Sequence, residues 1–130
     1  MKSPQWVSRD VVCALQEESL AWFGGLAGVR DSGMLDSALA RPEKLWVYEK
    51  SSLPQLAAAY AFGLARNYPF IDGNKRIAFL TATTFLESNG LTFSATEVEA
   101  VLKTMALAAG ELDEAGYADW LAANSSPAAD

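Results

Sequence analysis

Leu56-Ala57-Ala58-Ala59-Tyr60-Ala61-Phe62-Gly63-Leu64-Ala65 is the longest apolar run in the chain. Ten residues fall well short of the ~20 that a membrane span requires. Within Leu53 to Arg66 the composition favours helix, and a helix apolar on nearly every face belongs in the middle of a protein. A second such segment runs from Asn74 to Asn89, carrying Ile77, Ala78, Phe79, Leu80, Ala82, Phe85 and Leu86, and Gly90 closes it. Two buried helices joined by one short link therefore define the expected architecture: an all-α bundle of six or seven helices around a central pair.

The flanking segments read as its covering layer. Ser8 is an N-cap for a helix through Val11, Val12, Leu15 and Leu20 to Trp22, stopped by Gly24-Gly25. A loop from Leu26 to Asp31 leads to a short helix from Ser32 to about Ala40. Pro42 is expected to end it, with another turn or two from Glu43 to Tyr48. Thr96-Glu97-Val98-Glu99 has the form of a capping box, opening a helix that ends at Gly110. Asp113 then caps a last helix holding Tyr117, Trp120 and Leu121. Leu91-Thr92-Phe93 is the one stretch able to pair briefly as a strand. Residues 1–123 form one domain, and residues 124–130 read as a loose tail.

Composition removes many function classes. The 130 residues contain no histidine and one cysteine, Cys13. Ser-His-Asp triads, histidine metal ligands, Cys-rich zinc sites and intrachain disulfides are excluded. Ten basic against sixteen acidic residues give a net charge of −6, which argues against a surface built for direct nucleic-acid binding. The start, Met1 to Trp6, lacks the apolar stretch of a secretory signal. The expectation is a cytoplasmic protein without a membrane role.

The chemistry concentrates in the link Arg66-Asn67-Tyr68-Pro69-Phe70-Ile71-Asp72-Gly73-Asn74-Lys75-Arg76. Pro69 takes Tyr68 out of helical geometry, and Phe70 and Ile71 anchor the connection to the core. Asp72 suits the N-cap of the second helix, and Gly73 permits close approach of a ligand. Lys75 and Arg76 occupy the first turn, where cations oppose the helix dipole at a cost of ~0.3–1 kcal/mol each. Free N–H groups, the positive helix end and two cations together make an anion site, with phosphate the natural ligand. Asp72 beside it suits Mg²⁺, a hard ion that takes carboxylate and phosphate oxygens. An ordinary solvated Asp-Gly-Asn turn is the competing reading of the same residues.

Tyr68-Pro69-Phe70-Ile71-Asp72-Gly73-Asn74-Lys75-Arg76 resembles the signature His-x-Phe-x-(Asp/Asn)-(Ala/Gly)-Asn-Lys-Arg of the Doc branch of the Fic/Doc family. Gly24-Gly25, Gly28-Val29-Arg30-Asp31, Ser37 to Pro42, Leu56 to Tyr60, Phe85-Leu86, Asn89-Gly90 and Trp120-Leu121 extend the resemblance over nearly the whole chain. It implies an all-α fold that binds ATP and Mg²⁺ at this loop. It further implies transfer of phosphate to a threonine of elongation factor Tu, arresting translation, and pairing with a Phd-type antitoxin whose C-terminal segment packs on the toxin.

By position, Asp72 would hold the metal, and Asn74, Lys75 and Arg76 the phosphates. Gly73 would supply backbone N–H, with Arg66 a weaker phosphate candidate. Tyr68 stands where the family has its general-base histidine. A phenol with a pKa of ~10 is ionised in only about one molecule in a thousand at pH 7, so catalysis is expected to be impaired. A detoxifying change and a natural divergence both fit. Two alternatives accompany this reading: a non-catalytic antitoxin-binding module, and AMP transfer to a protein hydroxyl, which Lys75 disfavours. Among residues outside the signature, Cys13 reads as a structural thiol and Glu111 to Glu114 as capping and solvated surface. Trp46 and Tyr48 read as core or groove aromatics, and Arg30-Asp31 as a structural loop pair.

Overall fold

The computed structural model describes residues 2–129. In chain order the elements are α1 (Arg9–Phe23), α2 (Ser32–Glu49), α3 (Leu53–Asn67), α4 (Asn74–Ser88), β1 (Leu91–Phe93), α5 (Glu97–Ala109), α6 (Glu114–Ala123) and β2 (Ser125–Pro127). Helices α3 and α4 are the buried pair. Leu56 to Ala61 and Gly63 to Ala65 are all inaccessible on α3, as are Ile77, Ala78, Ala82, Phe85 and Leu86 on α4. Helices α2, α4, α5 and α6 all pack on α3, and α1 lies on α4. The fold is the expected helical bundle, and among the described residues no helix is long and apolar enough to cross a membrane.

Local signals set most boundaries. Ser52 and Gln55 form a complete capping box at α3 with Pro54 in the first turn, and Ser8, Asp31 and Asp113 each accept a first-turn N–H of α1, α2 and α6. Thr96 caps α5 through the Glu99 N–H, at 3.1 Å. The Glu99 carboxylate does not complete that box: it accepts from Trp120 Nε1 and joins α5 to α6 instead.

Three expectations are corrected. Pro42 does not end its helix; α2 continues to Glu49. An interior proline removes the N–H that would bond to the Ala38 carbonyl, a cost of about 3 kcal/mol. Burial of Leu35, Ala38, Pro42 and Trp46 along one stripe against α3 offsets it. The contact is close: a Cβ on Gly63 would stand 3.0 Å from Ala38 Cα.

The tail is not loose over Ser125 to Pro127. It pairs antiparallel with β1, Leu91 opposite Pro127 and Phe93 opposite Ser125, while Asp130 lies outside the described residues. The brief pairing expected of Leu91-Thr92-Phe93 thus finds its partner in the tail. The third correction concerns Asp72. It is not the N-cap of α4; Gly73 is, at φ +76°, and among the described residues no side chain caps the helix.

Buried hydroxyls tie the layers together. Tyr60 accepts the Val7 N–H at 3.0 Å, and Tyr117 shares a 2.8 Å hydrogen bond with Thr104 across α5 and α6. Burial pushes both phenols up to about 12. Trp46 is a core aromatic, whereas Tyr48 is 82% exposed. Cys13 packs partly buried against the core.

Candidate functional site

The link between α3 and α4 is held by the link between α1 and α2. Arg30 N and Asp31 N donate to Pro69 O at 2.7 and 3.1 Å, Ile71 N donates to Gly28 O at 3.1 Å, and Val29 bridges Phe70. The two loops form a short ladder. Arg30 adds its side chain: Nε donates to Tyr68 O at 2.6 Å and Nη2 to Asn67 O at 2.9 Å. These are terminal carbonyls of α3, which a helix end cannot satisfy by itself. Tyr68 consequently sits in the left-handed region (φ 49°, ψ 53°), a conformation that costs a non-glycine residue of order 1–3 kcal/mol. Its side chain remains 47% exposed.

Phe70 is buried and fixes the middle of the loop. Asn74 closes it from below, with Oδ1 accepting from Phe70 N at 2.9 Å and Nδ2 donating to Phe70 O at 3.0 Å. The family resemblance puts Asn74 on phosphates. Its side chain is instead occupied by the loop backbone, which leaves it only its own N–H to offer a ligand.

Asp72 Oδ2 accepts from Leu26 N at 2.9 Å, and its Oδ1 accepts no hydrogen bond among the described residues. The first intrahelical bond of α4 runs from Ile77 N to Gly73 O, so the N–H groups of Asn74, Lys75 and Arg76 precede the ladder and have no side-chain cap. Arg76 folds back over this end. Its guanidinium lies 4.9 Å from the Phe23 ring centroid, and Nη2 reaches Gly24 O at 3.4 Å. Lys75 and Arg76 form one end of a groove of about 570 Å³ that runs between α4 and α5 past Phe79, Val101 and Met105. Exposed Phe23 borders the same end.

The structure therefore brings Asp72, Gly73, Lys75 and Arg76 together. Arg66 is placed elsewhere: its guanidinium lies 5.6 Å from the Phe62 centroid and against Gly110, on the ring that Arg41 also covers. No cluster of three or more acidic or cysteine ligands exists among the described residues, so Asp72 alone could not hold a metal. A magnesium ion there needs phosphate oxygens and water to complete its shell. The free Oδ1 and the open amides have the chemistry of a phosphate–magnesium pair, and Gly73 is closely packed, since a Cβ there would meet Arg76 Nη2 at 3.2 Å.

Gln16 was missed in the sequence. It lies buried on α1 and donates through Nε2 to Asp72 O at 2.5 Å. The available signal was a polar residue on the inward stripe Val12, Gln16, Ser19 of α1. Arg30 reads from the sequence as a structural loop residue, and the geometry gives that role its partners.

A family model described as the Fic/DOC family matches residues 6–86. The protein kinase doc of Escherichia phage P1 is 32% identical over 117 residues, covering 88% of this chain and 91% of that protein. Toxin Doc of Mycolicibacterium smegmatis is 49% identical over 76 residues, or 56% of this chain. That alignment spans 58% of the mycobacterial protein, less than two thirds of its length.

Proposed function

The chain belongs to the Fic/DOC family, and from that premise we propose that it is the toxin of a toxin–antitoxin pair, built to carry phosphate from ATP to a protein hydroxyl. The observation that carries this reading is the uncapped start of α4, with three open amides between Lys75, Arg76 and the free oxygen of Asp72. ATP bound there would supply the phosphoryl group. Asp72 Oδ1 would hold Mg²⁺, the amides of Asn74 to Arg76 would hold phosphate oxygens, and the cations would balance their charge. The hydroxyl acceptor is a threonine of elongation factor Tu by family resemblance, and the setting is the cytoplasm.

Tyr68 limits this activity. A positioned base contributes ~10²–10⁴ in rate, and the chain has no histidine to supply one. A second reading, antitoxin binding without chemistry, is favoured by the groove beside Lys75 and Arg76. Its apolar floor and basic end suit an amphipathic helix with acidic residues, of the kind a Phd-type antitoxin would present.

Thermal unfolding with and without ATP–Mg²⁺ separates the two. Ligand at a hundred times its dissociation constant adds about 2.7 kcal/mol of stability. An upward shift in midpoint that disappears in Asp72→Ala or Lys75→Ala supports the nucleotide site. No shift at millimolar ATP leaves the binding-module reading.

A further inference from the structure

We infer that Gln16, on α1, is a positioning residue that sets the orientation of the Asp72–Gly73 peptide and thereby turns the Gly73 N–H toward an anion at the start of α4. This rests on the anion-site reading above and goes beyond it by naming a residue that belongs to neither the loop nor the helix.

Gln16 is 3% exposed, and its Nε2 donates to Asp72 O at 2.5 Å. No peptide bond among the described residues is cis, and in a trans peptide C=O and N–H point in opposite directions. Pinning the Asp72 carbonyl against α1 therefore directs the Gly73 N–H away from α1. Gly73 itself is left-handed, at φ +76° and ψ 18°, so the amides that follow it continue the cradle rather than folding into the core. A Cβ at Gly73 would lie 3.3 Å from Gln16 Oε1 and 3.4 Å from Nε2, so the amide packs directly beneath this residue.

The other end of Gln16 shows that packing alone does not call for a glutamine. Oε1 is buried without a hydrogen-bond partner among the described residues. An amide flip would set it against the Asp72 carbonyl, acceptor to acceptor, so the orientation is fixed by chemistry. A buried carbonyl without a donor is unfavourable, and an apolar side chain of the same length would avoid it. The one thing gained from glutamine here is the Nε2 donor.

Gln16→Met keeps the length and removes the donor. The test measures the Gly73 N–H residual dipolar coupling in ligand-free chain, the affinity for inorganic pyrophosphate by titration, and the unfolding midpoint. The inference expects a changed Gly73 coupling with unchanged couplings beyond Ile77. It also expects pyrophosphate affinity reduced roughly tenfold or more, the worth of one hydrogen bond to a charged acceptor, and a midpoint within a few degrees of the parent chain. An unchanged Gly73 coupling, or a lowered midpoint with unchanged affinity, overturns it. If the parent chain binds no pyrophosphate, the anion-site reading fails, and the ligand-free coupling alone decides for or against Gln16.

Discussion

Two interhelical connections show opposite solutions to the same problem. The link from α5 to α6 satisfies itself. Gly110 N donates to Leu107 O, Glu111 N and Leu112 N both donate to Ala106 O, and Asp113 accepts from Gly116 N. The link from α3 to α4 borrows its partners: Arg30 and Gly28 from one loop, the Leu26 amide beside them, and Gln16 from α1. Yet its helix start is left uncapped. A connection held from outside and open at its end is the one for which a ligand is proposed, whereas a connection closed on itself serves to turn the chain.

The largest effect expected from this contrast lies at Tyr68. Arg30 holds the backbone on either side of it, so a histidine there would inherit a fixed position. Tyr68→His is expected to raise phosphate transfer to elongation factor Tu by ~10²–10⁴ and to arrest growth of cells lacking antitoxin. Mass spectrometry of the target checks it, and a restored histidine that transfers nothing would leave the scaffold without its chemistry.

Alkali probes the buried phenols, Tyr117 beside the self-contained link and Tyr60 on α3. Tyr117 and Tyr60 are buried as neutral phenols raised to about 12 from an ordinary value near 10. The folded chain keeps protons that the unfolded chain releases, so stability is whole below pH 10 and falls as pH rises toward 12. The loss is up to about 1.4 kcal/mol per pH unit for each tyrosine. Urea midpoints at pH 9 and 11 check the sign, and Tyr117→Phe should flatten the slope without altering pyrophosphate binding.

The two glycines that open and close these links sharpen the comparison further. Both are left-handed, Gly73 at φ +76° and Gly110 at φ +81°. At Gly110 a Cβ meets only the far end of Arg66, at 3.3 Å, so Gly110→Ala should cost about 1 kcal/mol of backbone strain. At Gly73 it meets the buried amide of Gln16 as well as Arg76. Gly73→Ala is expected to cost more, of order 1–3 kcal/mol, and to abolish pyrophosphate binding, which Gly110→Ala should leave intact.

The same contrast explains what could be read from the chain. Ser8, Thr96 and Asp113 act on groups within three residues, so their helix starts were legible. The buried pair was legible because α3 and α4 are apolar around most of their circumference. Pro42 misled because the contact that carries α2 past it is with α3. Asp72 misled because its carboxylate goes to Leu26, forty-six residues away in sequence. The family was legible in one nine-residue stretch, while the supports of that loop, Gln16 and Arg30, stand in an earlier helix and loop that no local pattern connects to it.

The smallest expected effect isolates that support. Arg30→Met removes two charge-assisted hydrogen bonds to Tyr68 O and Asn67 O but keeps most of the side-chain stem. Because Arg30 is exposed, water can replace much of what is lost, and the change in global stability should be only about 1 kcal/mol. The local consequence should be larger than the global one. With its clamp gone, the loop ladder opens more often, and the Ile71 N–H bonded to Gly28 O should exchange with solvent faster. The Glu111 N–H bonded to Ala106 O belongs to the self-satisfied link and should keep its rate after correction for global stability. Equal acceleration at both amides would mean that Arg30 stabilises the whole fold and does not hold the site loop in particular.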